Sequence, residues 1–174
     1  MGEDASNDGQ ARFAIFRSGD ARAGEEAGAM ESEPITPIEA EGARRVVEAG
    51  FDEGHHVKRV FAMAGMSLTY CWFKSGFPLP RHSHSADCLY YIVGGSLRIG
   101  HEELGVGDGF FVGDGVPYSY TPGPDGVEVL EFRTSGTYNI RILANNPEFW
   151  DKAVQAVKSQ RDAWADQRVP PSAR

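Results

Sequence analysis

From residue 57 to residue 143 the chain runs as short β-forming segments cut apart by glycine and proline, with no helices expected between them. Candidate strands lie at 57–62, 67–73, 88–93, 96–99, 109–112, 118–121, 127–133 and 138–143. The second of these, Ser-Leu-Thr-Tyr-Cys-Trp-Phe, is made of aromatic and β-forming residues. Gly94-Gly95 suits a tight hairpin between two of the strands. Gly107-Asp108-Gly109 and Pro122-Gly123-Pro124-Asp125-Gly126 read as turns. Strands this short and this regularly spaced specify an all-β sandwich or barrel.

The flanks have a different character. Residues 1–33 are dominated by Gly, Ala, Glu, Asp and Ser, with Phe13, Ile15 and Phe16 as a brief apolar cluster. Such a composition buries too little surface to offset its ordering entropy, so a disordered tail is expected there. Towards the other end, Asn145 or Asn146 can cap a helix with Pro147 at its first position. Phe149, Trp150, Ala153, Val154, Val157 and Trp164 then recur near the helical period. The expected organisation is a tail over 1–33, a β-barrel domain over 34–144, and a C-terminal helix with its own tail over 145–174.

With 174 residues there is room for one domain with a real core. A net charge of −8 gives no electrostatic case for nucleic acid or an anionic membrane. No apolar run approaches the roughly 20 residues of a membrane-spanning helix. The first residues lack the basic and apolar regions of a secretory signal. Cys71 and Cys88 both sit in apolar sequence, as reduced thiols of a cytoplasmic protein would.

The chemistry concentrates in Arg81-His82-Ser83-His84. Side chains on an extended segment alternate between faces, so His82 and His84 point the same way and Arg81 points the other. Two imidazoles converging in this manner can bind one divalent metal ion. Around them the sequence reads Gly76, five residues, His82-x-His84, three residues, Cys88, six residues, Gly95. This resembles the first motif of the cupin superfamily, which has a glutamate where this chain has Cys88. The second cupin motif is matched more loosely: Gly107, then Gly113 at the motif's proline, Gly115 at its glycine and Tyr118 at its histidine.

The resemblance spans residues 57–133 and implies an RmlC-like double-stranded β-helix, the cupin jelly roll. It also implies a divalent ion (Fe, Zn, Mn or Ni) inside the barrel, with His82 and His84 matching ligands. Cys88 and Tyr118 occupy substituted ligand positions; a thiolate would shift preference towards Zn or Cu. Cys88 reads as a metal ligand, a small buried hydrophobe or a redox group, and cysteine dioxygenases are cupins that also carry cysteine at this motif position. Tyr118 reads as a pocket-lining phenol able to hydrogen-bond substrate. Glu131 shares a face with Val127 and Val129, so it is either an inward general base or an outward solvated carboxylate.

His55, His56 and His101 are expected at the surface, and Tyr70, Trp72, Phe73, Phe77, Tyr90, Tyr91, Phe110 and Phe111 mostly in the core. One functional expectation is a metal-dependent enzyme (an oxygenase, isomerase or lyase) acting on a small molecule, with Tyr118 and Glu131 handling protons. The other is a non-catalytic cupin that binds or senses a small ligand through a degraded metal site. In either case a homodimer is expected, as cupins often pair.

Overall fold

The computed structural model describes residues 13–23 and 30–173. In chain order these form β1 (Arg22–Ala23), β2 (Met30–Ser32), α1 (Pro37–Ala49), β3 (His55–Met63), β4 (Met66–Phe73), β5 (His82–His84) and β6 (Cys88–Ile99). There follow β7 (Glu102–Gly105), β8 (Gly109–Val112), β9 (Thr121–Arg133), β10 (Tyr138–Ile142) and α2 (Pro147–Asp166). The larger sheet runs β1-β3-β4-β9-β6-β7, with β8 pairing the other half of β6, and the smaller runs β2-β10-β5. Residues of both sheets line one central cavity, so the architecture is the expected jelly roll.

Alternation in the sequence sets which side chains enter the core. On β6, Cys88, Tyr90 and Ile92 are buried while Leu89 and Tyr91 are exposed. On β9, Val127, Val129, Glu131 and Arg133 face inward in the same period. Leu89 lies opposite Phe111 on one side and Phe132 on the other, and all three are exposed. Tyr91 and Phe111 are therefore outward-facing, whereas they were expected among the core aromatics.

The glycine pair does not make a hairpin. β6 continues through Gly94 and Gly95, with register shifts against β9 at both sides of the pair. A methyl group at Gly94 would meet Glu128 Oε2 at 2.1 Å, and one at Gly95 would meet the Gly126 carbonyl oxygen at 2.1 Å. The pair permits close approach of β9, and Gly95 also has φ 70°. The proline-glycine run 122–126 likewise lies within β9 rather than in a turn. At 118–121 the backbone forms only an isolated bridge, Tyr118 to His82, before β9 begins.

The segment 34–144, expected as a β-barrel domain, opens with a helix. Thr36 caps α1: its Oγ1 accepts from Glu39 N at 3.2 Å, and Glu39 Oε2 accepts from Thr36 N at 2.9 Å. Pro37 supplies the first turn and Gly50, at φ 107°, ends the helix. The other Glu39 oxygen accepts from Ala144 N at 3.1 Å, which fixes the helix start to the segment leading into α2. Thr36→Ala should therefore cost about 1 kcal/mol, read as a lower urea midpoint with unchanged slope.

α2 starts as expected, Asn146 Oδ1 accepting from Glu148 N at 2.9 Å with Pro147 next. It packs on α1 where Trp150 lies flat over Gly42, and its Trp164 donates from Nε1 to Ser75 O at 2.8 Å. Beyond it, the turn Pro171–Ala173 reaches the larger sheet. There Glu128 accepts from Ser172 N at 2.6 Å, from Ser172 Oγ at 3.0 Å and from the Tyr70 hydroxyl at 2.6 Å.

Part of the presumed tail is structured: β1 pairs with β3, β2 pairs with β10, and Phe16 lies 5.5 Å from Phe61. The remainder of that expectation, residues 1–12 and 24–29, falls outside the described residues. Among the described residues no helix is long and apolar enough to cross a membrane.

Candidate functional site

A cavity of about 270 Å³ lies between the sheets. Phe51, Val57, Phe73, Phe77, Leu79 and Ile142 form an apolar wall, and His82, His84, Tyr118, Glu131 and Arg133 gather on a polar one. The local fold explains the gathering. β5 puts both histidines on the cavity face, their rings 4.9 Å apart, and Arg81 is exposed on the other side. Backbone bonds between His82 and Tyr118, at 3.1 and 2.9 Å, bring the second-motif tyrosine beside the first-motif histidine. β9 delivers Glu131 and Arg133 from the larger sheet.

Each imidazole is fixed by a backbone carbonyl. His82 Nδ1 lies 2.8 Å from Pro80 O, and His84 Nδ1 lies 3.0 Å from Asn139 O. A carbonyl only accepts, so both Nδ1 atoms carry the proton and both Nε2 atoms carry a lone pair. Burial pushes the His82 pKa down, and pushes that of His84 to about 4 with help from the Arg133 charge, so both rings are neutral near pH 7. His82 Nε2 accepts from the Tyr118 hydroxyl at 2.9 Å.

The bonds beyond Tyr118 then have one direction. Its only proton goes to His82, so in the contact between the Tyr90 and Tyr118 hydroxyls it must accept. Tyr90 in turn accepts from Arg133 Nη2 at 3.3 Å. The chain runs from Arg133 through Tyr90 and Tyr118 to His82 and ends on Pro80 O. A guanidinium cannot accept, so the order cannot reverse. Burial raises the pKa of both phenols well above the ordinary tyrosine value, which keeps their protons in place.

Arg133 Nη1 also donates to Glu131 Oε2 at 2.5 Å, an ion pair between side chains 1% and 9% exposed. Burial favours protonated Glu131, but the guanidinium outweighs it and holds the carboxyl below its usual range. The guanidinium further stacks over the Tyr138 ring, 4.2 Å from its centroid. Arg133 Nε is buried and makes no hydrogen bond.

Of the residues named from sequence, His82, His84, Tyr118 and Glu131 line the cavity. Cys88 is buried outside its lining, its Sγ aimed at Leu89 O at 3.9 Å, and burial pushes its thiol up to about 12. Among the described residues no three His, Cys, Asp or Glu side chains converge as a metal-ligand group. His56 and His101 are exposed as expected, whereas His55 is half-buried and lines the cavity. Arg133, Tyr90 and Cys71 were not singled out for this wall. The parity that suggested Glu131 extends two residues further to Arg133, and that was the available signal.

No family model and no curated protein matches the sequence. Among solved structures, KdgF from Halomonas sp. superposes over 47% of this chain and 81% of its own, at 17% identity and a TM-score of 0.44. An RmlC-like cupin from Shewanella frigidimarina covers 48% and 78%, at 21% identity and TM-score 0.43. A variant of oxalate decarboxylase from Bacillus subtilis covers 48% of this chain but only 26% of its own length, at 20% identity and TM-score 0.43. The strand order, with the His-x-His pair facing the cavity from β5 and the glycine pair within β6, gives this chain a jelly-roll fold.

Proposed function

We propose that the barrel is a binding chamber for a small, largely apolar molecule that rests against the His84–Tyr118 wall, and that it works without a resident metal ion. The observation carrying this reading is the directed chain from Arg133 to His82, which ends on the Nε2 that a metal would need. The rest of the donor set also fits a metal poorly. Glu131 is already neutralised by Arg133, whose fixed positive charge would oppose a second cation beside it. Cys88 is a firmly protonated thiol outside the cavity lining.

A second reading, a metal-dependent oxygenase, isomerase or lyase, draws on a different observation. Both histidines have Nδ1 tied to a carbonyl and Nε2 turned inward, the orientation of metal-ligating imidazoles. Elemental analysis of protein purified without an affinity tag separates the two. We expect far less than one metal per chain, and no change in thermal midpoint with chelator. Stoichiometric metal that disappears in the His82→Ala/His84→Ala variant would overturn the metal-free reading.

A further inference from the structure

Resting on the metal-free binding reading, we infer that the ligand is uncharged, with an apolar body and a hydroxyl or N–H group that donates a hydrogen bond to His84 Nε2. The polar wall has little hydrogen-bonding capacity to spare. Tyr118 has committed its one proton to His82, and Tyr90 has committed its proton to Tyr118. Both nitrogens of His82 are engaged. Arg133 uses Nη1 on Glu131 and Nη2 on Tyr90, and its unpaired Nε is buried out of a ligand's reach. His84 spends Nδ1 on Asn139 O, and among the described residues nothing pairs with its Nε2. The ring lines the cavity, so this lone pair is the acceptor offered to a ligand.

The charges lead to the same class. Glu131 and Arg133 cancel each other across 2.5 Å. The guanidinium side chain is 1% exposed and covered by the Tyr138 ring, so an entering carboxylate cannot reach it without breaking the pair. The same guanidinium opposes an ammonium. Tyr120 also lines the cavity, but a phenol gives or takes a hydrogen bond and so does not select between ligands. Around this acceptor and the neighbouring Glu131 carboxylate, which also only accepts, the apolar wall of Val57, Phe73, Phe77, Leu79 and Ile142 receives the body of the molecule.

Four probes of similar shape test this by NMR titration of the native protein: toluene, 4-methylphenol, 4-methylanisole and 4-methylbenzoate. We expect 4-methylphenol to bind about tenfold tighter than 4-methylanisole, which can accept but not donate, and 4-methylbenzoate to bind weakest. In His84→Phe the advantage of the phenol over the anisole should vanish while toluene still binds. Equal affinity for phenol and anisole, or tightest binding of the benzoate, overturns the inference and leaves the binding chamber standing. If none of the four perturbs cavity resonances, the binding reading falls with it. The native-protein comparison decides the matter even where the variant fails to fold.

Discussion

Arg133→Met is expected to destabilise the protein by about 3–5 kcal/mol, the range seen when one partner of a buried ion pair is removed. Methionine fills much of the volume, so the loss comes from electrostatics more than from a void. Glu131 would be left buried with its charge uncompensated, and the hydroxyl of Tyr90 would lose the donor that orders the chain to His82. Adding Glu131→Gln removes the stranded charge and should restore a large part of the loss. Urea unfolding of both single variants and the double variant gives the coupling directly. A single variant within about 1 kcal/mol of native would mean the pair is not what holds this wall together.

Acid should weaken the fold in a window set by the buried histidines. The pKa of His84 is pushed down to about 4, chiefly by burial and then by the Arg133 charge, whereas an unfolded histidine titrates near 6.5. Between those values the unfolded chain takes up a proton that the native state refuses. The stabilising contribution is thus complete above about pH 6.5, falls as pH drops, and is exhausted near pH 4. For this one group the loss is about 3 kcal/mol. The groups around the ring are His82, Arg133, Glu131 and Tyr138. Of these, Glu131 is held below the usual carboxylate range by the Arg133 guanidinium, and His82 shifts in the same direction as His84. Urea midpoints at pH 7.5 and pH 4.5 measure the drop. A His84→Gln variant should show a shallower one, and an equal slope in both proteins would reject the assignment.

Much of the barrel was legible because strand periodicity is local. The runs at 57–62, 67–73, 109–112 and 127–133 all fall within observed strands, 138–143 overruns β10 by one residue, and the His-x-His spacing put both rings on one face. What misled were residues with two uses. Gly94-Gly95 is a hairpin signal, yet here the missing side chains make room for the Gly126 carbonyl and the Glu128 carboxylate, a contact set by pairing with a distant strand. Thr36, Pro37, Glu39 and Gly50 spell a capped helix, yet the segment that holds them was assigned to the β-barrel domain. At the site, the search for metal ligands favoured histidine, cysteine and carboxylate. Arg133 lies outside that vocabulary, so the residue that orders the wall went unnoticed although it shares the face of Glu131.

The Glu128 carboxylate bears on how the chain is made. It is 2% exposed, and two of its three hydrogen bonds come from Ser172, 44 positions later. Trp164 likewise lies 89 positions after its Ser75 acceptor, and Trp150 covers Gly42. A nascent chain on the ribosome therefore exposes the central strands of the larger sheet while their sealing elements are still being synthesised. Closure waits for α2 and the turn after it, so folding is dominated by long-range contacts and is slow. During that interval the outward apolar side chains of Leu89, Tyr91 and Phe111 are joined by unsealed core, and newly made protein is at its most prone to aggregate.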